Sequence, residues 1–205
     1  MFFETAHGMR PAPLKHNPLN ALVQPRPIAW VSTIDAGGVT NLAPFSYFNA
    51  VSADPPFVMF APNPKGPGES KDSYANLAAV PEFVVSLVSR AQAQPMNATS
   101  ASMPHGVSEF SACGIASAPS RCVRPPRVAD SRAALECTVH EILALPGGSD
   151  DRVSYVVIGA VVAIHIDDAL IENGRVIEQR LDPLTRLGYF NYGTLGEVFE
   201  LMRPG

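Results

Sequence analysis

Two stretches of this sequence carry residues whose types and spacing suit ligand chemistry. The first is Thr40-Asn41-Leu42-Ala43-Pro44-Phe45-Ser46-Tyr47-Phe48-Asn49, running on to Asp54-Pro55-Pro56. A strand that stops at a proline and then offers amide, hydroxyl and backbone groups suits the edge of a flat heteroaromatic ring bearing carbonyls and a ring N–H. Asn41, Ser46 and backbone groups can meet such an edge without a fixed charge, and Pro44 has no N–H to give to a neighbouring strand. Phe45, Tyr47 and Phe48 supply apolar walls. The second stretch is Glu69-Ser70-Lys71-Asp72-Ser73-Tyr74-Ala75-Asn76-Leu77. Ser70 or Asp72 is predicted to cap a short helix running to Ala79. That places Lys71 at the positive end of the helix, where a cation is disfavoured. A bound anion removes the conflict, and free amides, a hydroxyl and a lysine make a phosphate cradle. Taken singly, each stretch also fits a plain structural account: a proline-interrupted edge strand, and a solvated lysine offset by Glu69 and Asp72.

Other chemistries lack their residues. No GxGxxG opens a helix after a strand, so no Rossmann half is expected. Gly66-Pro67-Gly68-Glu69-Ser70-Lys71 fails the spacing of a phosphate-binding P-loop, and neither GxSxG nor HExxH occurs. The five histidines (His7, His16, His105, His140, His165) show no metal-ligand spacing. His140 and His165 fall in predicted strands and read as hydrogen-bonded or partly exposed strand histidines. No motif places a pair of carboxylates. No catalytic residue is assigned, and any hard chemistry is expected to belong to a cofactor.

The elements that must position these stretches are mostly strands. Twenty prolines cluster in the connections. Ile28 to Ile34 is β-rich and ends in Asp35-Ala36-Gly37-Gly38, a hairpin signal, with Val39 to Ala43 returning antiparallel. Pro56 to Ala61, Glu82 to Ser89, Leu135 to Leu145 and Arg152 to Ile166 complete the strands, with a turn at Pro146 to Asp150. Helical signals are short: Asp72 to Ala79, Ala91 to Ala101 and Ser108 to Gly114. Hairpin-linked strands with brief helices predict an antiparallel barrel. The 205 residues, 46% apolar and 17% charged, suit one domain with a real core. A net charge of -4 and a pI near 5.7 give no footprint for nucleic acid. No apolar run reaches the ~18 residues of a membrane span. The start, Met1-Phe2-Phe3-Glu4, lacks the basic and apolar regions of a secretory signal. Three cysteines without a CxxC pair fit thiols in a reducing cytoplasm.

A flat-ring edge, a phosphate cradle and the missing dinucleotide fold together make a flavin the best account of the ligand. At this point the residues carry a resemblance. Arg26-Pro27-Ile28-Ala29-Trp30-Val31-Ser32-Thr33, Gly38, Asn41 to Asn49, Asp54-Pro55-Pro56, Lys71-Asp72-Ser73, Asn76 and Glu82 to Val85 resemble the flavin reductase-like family. That is the FMN-binding split-barrel group that includes flavoredoxin and the reductase components of two-component monooxygenases. The match continues through Glu109-Phe110, Gly114, Leu135-Glu136-Cys137, Gly159-Ala160-Val161, Arg186-Leu187-Gly188-Tyr189 and Arg203-Pro204. Ser73 departs from the threonine common in the family and keeps the hydroxyl.

The resemblance implies a mainly β fold, a six-stranded antiparallel split β-barrel with short peripheral helices, spanning the whole chain. It implies a homodimer with FMN near the subunit interface, FAD being the alternative flavin, and hydride transfer from NADH or NADPH. Carried over by position, Ser32, Thr33, Asn41, Ala43, Pro44, Ser46, Phe48 and Asn49 line the ring and ribityl chain. Ser70 and Lys71 hold the phosphate, and Arg186 reaches the phosphate or the ring. Reduced flavin then leaves for a partner monooxygenase, or the protein passes electrons to a redox partner as a non-enzymatic carrier.

Overall fold

A computed structural model describes residues 1–5, 10–63, 71–146 and 153–205. Seven strands form one sheet: β1 (Ala29–Ile34), β2 (Thr40–Phe45), β3 (Phe48–Ala53), β4 (Pro56–Phe60), β5 (Glu82–Leu87), β6 (Ala133–Leu145) and β7 (Ser154–Ile166). Their order is β2-β1-β5-β6-β7-β4-β3, and every pairing is antiparallel. The helices are α1 (Asp72–Ala79), α2 (Ala93–Ala98) and α3 (Glu109–Ala112). The seventh strand beyond the expected six is β3. Five of its six residues are exposed, so it shows no apolar alternation, and its register against β4 is interrupted between Ala50 and Ser52.

β2 and β3 lie at opposite edges of the sheet, yet Ser46 and Tyr47 alone separate them in sequence. A twisted sheet must therefore curl until its two edges meet at this corner. Ala61 N–H donates to the Tyr47 carbonyl there (2.9 Å). No ladder joins β2 to β3, so the barrel is closed at one corner and split along the rest of that seam.

β1 shows why two cores form. Its residues are buried on both faces, and strand alternation divides them. Ala29 and Val31 point into the barrel with Phe45, Phe60, Phe83, Val85, Cys137 and Val157. Trp30 points the other way, into a second cluster with Leu42, Val88, Met96, Phe110, Val128 and Leu184. Its indole N–H donates to Thr99 Oγ1 (2.9 Å), which satisfies the one polar atom that this burial would strand. Each such fully buried side chain contributes roughly 1.5–3 kcal/mol.

The long β6–β7 hairpin, thirteen residues in each arm, forms the barrel's far wall, with irregularities in register at Ile158/Gly159 and Val161/Ala163. A Cβ at Gly159 would lie 2.3 Å from Phe83 Cζ, so the buried ring takes the space that a side chain would need. α1 docks by a polar face. Ser73 Oγ donates to Asn41 Oδ1 (2.8 Å) and Asn76 Nδ2 to Thr33 Oγ1 (3.0 Å), while Leu77 fills the barrel end. Residues three and four apart share a helix face, which is why these three act together. The Ala91 to Ala101 segment folds as a 3₁₀ turn, Arg90–Gln92, leading into α2, whose Pro95 sits in the first turn where its missing N–H costs nothing. Among the described residues no helix is long and apolar enough to cross a membrane.

Candidate flavin site

β2 is an edge strand, and its outward groups decide what can bind beside it. Leu42 N–H points out and is taken by Glu109 Oε2 (2.8 Å); the next outward position is Pro44, which has no N–H. The edge is thereby closed to another strand and left as a wall. Glu109 comes from α3 and also accepts from Asn41 Nδ2 at 3.0 and 2.9 Å. Its carboxyl is 5% exposed. Burial pushes it above the usual glutamate range, with the Asp72 charge adding to the effect and the Leu42 and Asn41 hydrogen bonds pulling against it.

Three adjoining clefts run along this wall. The first, about 90 Å³, lies between Lys71, Ser73, Pro44 and Ser100. The second, about 430 Å³, is floored by Pro44, Phe45, Ser46 and Tyr47 and flanked by Arg26 and Arg186. The third, about 520 Å³, continues past Arg186, Phe190 and Tyr192 to Arg90. Pro44 and Ser100 belong to the first two clefts, and Asn97, Arg186, Phe190 and Tyr192 to the last two, so they form one groove. Cations punctuate it. Lys71 Nζ stands 4.9 Å from the centre of the Phe45 ring, and the Arg186 guanidinium lies 4.4 Å over the Tyr192 ring.

Arg26 and Arg186 are paired across a small sheet of Arg26–Pro27, Thr185–Arg186 and Tyr192–Gly193, which pins the C-terminal motif to the N-terminal one. Gly188 makes the approach possible, since a Cβ there would fall 2.8 Å from Ala21 Cα. Arg26 donates to the carbonyls of Asn20 (2.8 Å), Val23 and Leu187 (3.1 Å). Its Nε is buried without a hydrogen-bond partner, an unmet donor beside the second cleft.

The structure brings Asn41, Ala43, Pro44, Ser46, Lys71 and Arg186 to this groove. It does not bring Ser32, Thr33, Phe48 or Asn49 there. Ser32 and Thr33 are fully buried, donating to the Pro126 carbonyl and accepting from Asn76 respectively. Phe48 packs in the barrel core, and the exposed Asn49 accepts from the N–H of Ala50 (2.9 Å). The Asn41 amide is engaged at both ends by Ser73 and Glu109. Ser70 and the turn at 147–150 lie outside the described residues. Of the expected caps, Asp72 is the first residue of α1 rather than its cap, and the cap position is Lys71 with extended backbone. Arg26, Glu109, Ser100 and Tyr192 line the groove as well, beyond the residues expected there. Arg26 and Glu109 stood within the family pattern, and the other two carried no signal.

A model of the flavin reductase like domain matches residues 23–193 of this chain. The chain belongs to the flavin reductase-like family. An uncharacterised Deinococcus radiodurans protein is 38% identical over 94% of this chain and 86% of its own. One from Halalkalibacterium halodurans is 36% identical over 89% and 87%. Among solved structures, nitrilotriacetate monooxygenase component B from Bacillus cereus is 33% identical with a TM-score of 0.85, covering 94% of this chain and all of that one (100%). The Pseudomonas fluorescens 2-nitrobenzoate 2-nitroreductase NbaA is 30% identical with a TM-score of 0.76, covering 91% and 88%. A Shewanella frigidimarina structure with a split barrel domain, 22% identical with a TM-score of 0.80, covers 91% and 90% and shares the fold. The flavin reductase-like chain is thus a split barrel in which the mainly β architecture read from sequence is borne out, with one strand more.

Proposed function

We propose that the chain binds FMN along the first two clefts and reduces it with NADH or NADPH. The observation that carries this reading is the groove itself, which runs from Lys71 to Arg186 along a proline-blunted strand edge in a chain of this family. Its two flavin-binding clefts, about 90 and 430 Å³, together fall in the range of small-molecule sites.

In this reading Lys71, Ser73 and Ser100 hold the phosphate, Pro44 and Phe45 pack against the ring, and Ser46 with neighbouring backbone groups meets its polar edge. Arg26 and Arg186 supply donors at the far side. Bound there, FMN would supply two-electron redox chemistry for a reduced nicotinamide, with these residues holding it in place. The second cleft is lined by no histidine or carboxylate among the described residues, so these side chains orient and desolvate rather than move protons. Ser32, Thr33 and Phe48 then act behind the groove, and the exposed Asn49, in a homodimer, lies beside a partner's groove. The exposed Phe199, Leu201 and Met202 favour such an assembly. The expected setting is the cytoplasm, in keeping with the free thiols of Cys113, Cys122 and Cys137.

Similarity to nitrilotriacetate monooxygenase component B favours delivery of reduced flavin to a partner monooxygenase. The test is a visible spectrum of the purified protein after incubation with FMN, followed by NADH and NADPH oxidation. Flavin bands with oxidation of either nucleotide support the reading, and chromatography of the released flavin decides between FMN and FAD. Absence of bands removes the flavin. Bands without nucleotide oxidation leave the electron carrier in place of the reductase.

A further inference from the structure

The third cleft lies beyond the proposed flavin site and has a chemistry of its own. Arg90, Asn97, Arg186, Phe190, Tyr192 and Thr194 line its roughly 520 Å³. No carboxylate lines it among the described residues, and neither arginine has an ion-pair partner there. Two arginines thus line one cavity in which no carboxylate accompanies them, in a chain whose net charge is -4. The Arg90 backbone and the Arg186 side chain are held in place. Arg90 starts a 3₁₀ turn closed by the reciprocal Ser89–Gln92 bonds, and its N–H donates to the Asp182 carbonyl (2.9 Å). Arg186 is stacked on Tyr192 and donates to the Tyr189 carbonyl.

The aromatic wall is presented at a conformational cost. Phe190 is 90% exposed on a turn in which Asn191 N–H returns to the Gly188 carbonyl (3.0 Å). The turn holds Tyr189 at φ 57°, a left-handed conformation that a bulky residue rarely adopts. An exposed ring carried on such a constrained turn invites a second ring against it. Guanidinium forks match a carboxylate in shape and charge. Because both arginines and both aromatic residues line the same cavity, charge and ring recognition fall on a single small ligand.

We propose that this cavity is a second ligand site for a small planar organic anion, an aromatic carboxylate, held by Arg90 and Arg186 with its ring against Phe190 and Tyr192. Its place as a second-substrate site rests on the flavin reading, since the two clefts meet at Arg186. Binding itself does not need the flavin. The experiment is isothermal titration of the full chain with benzoate, benzamide and ADP, with and without FMN, in the wild type and in Arg90→Gln.

The expected result is that benzoate binds at least about tenfold more tightly than benzamide, and that Arg90→Gln weakens benzoate about tenfold, as loss of a charge-assisted contact implies. Benzamide binding and the FMN dissociation constant stay unchanged in that variant, and an unchanged melting temperature shows that it folds. Equal affinity for benzoate and benzamide, or a benzoate affinity indifferent to Arg90→Gln, overturns the proposal. ADP binding more tightly than benzoate, with the Arg90 dependence falling on ADP, also overturns it and assigns the cavity to a diphosphate. Benzoate binding with Arg90 dependence in a protein that takes no flavin would uphold this site while removing the flavin reading.

Discussion

Glu109 and Asn41, sixty-eight residues apart, meet in the lining of the first cleft through two hydrogen bonds of 3.0 and 2.9 Å. The same carboxylate takes Leu42 N–H, and Ser73 closes the other end of the Asn41 amide. Removing the acceptor strands two buried donors. Glu109→Ala is therefore expected to destabilise the protein by about 1–3 kcal/mol, read as a lower urea midpoint. Burial raises the Glu109 carboxyl above its unfolded value. Its contribution is thus fully present below the ordinary glutamate pKa of about 4.3 and is lost as pH rises through the higher native value.

Glu136 behaves oppositely. It is fully buried on β6 and accepts from His165 on β7 and from the N–H groups of Arg121 (2.9 Å), Cys122 (2.6 Å) and Val123 (3.2 Å). Burial alone would raise its carboxyl, but the imidazole and amides outweigh that and hold it below the usual range. The linked stability is present above about pH 4.3 and falls as pH drops through the lower native value. Glu136→Gln should flatten this acid limb of a melting-temperature profile and loosen amide exchange at residues 121–123. A variant with the wild-type acid limb would show that Glu136 does not carry it.

Lys71→Ala is expected to weaken FMN binding by about 1–3 kcal/mol through loss of a charge-assisted phosphate contact. Fluorescence titration of FMN measures this directly. A dissociation constant equal to the wild type removes Lys71 from the site.

Gly159→Ala forces a methyl into the space of Phe83 Cζ, 2.3 Å away. Overpacking of a close-packed core costs about 1–3 kcal/mol. Thermal denaturation should show the loss, and the double variant Gly159→Ala, Phe83→Leu should recover part of it.

The cysteines divide by burial. Cys137 is fully buried in the barrel, and burial pushes its thiol up to about 12, whereas Cys122 is exposed. Iodoacetamide at pH 8 followed by mass spectrometry should modify Cys122 and spare Cys137 until the protein is unfolded. Labelling of native Cys137 at the rate of Cys122 would contradict the packing described.

Six of the seven strands were legible because their apolar runs and turn residues agree, as in Ile28 to Ile34 followed by Asp35-Ala36-Gly37-Gly38. β3 was hidden because only its first residue, Phe48, is buried, so Asn49-Ala50-Val51-Ser52-Ala53 shows no apolar alternation, and its hairpin with β4 carries an irregular register. His140 and His165, expected as hydrogen-bonded or partly exposed strand histidines, both lie in strands, His165 bonded to Glu136 and His140 exposed. Glu109 and Glu136 were illegible as structural acceptors. Each is a single carboxylate whose donors come from distant segments, and no local spacing announces such a meeting. The groove was half legible. Ala43, Pro44, Ser46 and Lys71 line the clefts, whereas Ser32 and Thr33 are buried because β1 is covered on both faces.

The link Ser46-Tyr47 ties together the first and last strands of a seven-stranded sheet, and the proposed ring site rests on it. A guest seated at that corner acts as a clasp. It cannot be released by local fraying of one hairpin, because both ends of the sheet converge beneath it. Occupancy and the cooperative melting of the whole barrel become one equilibrium, so a calorimeter registers affinity at this corner as added heat resistance of strands that the guest never touches.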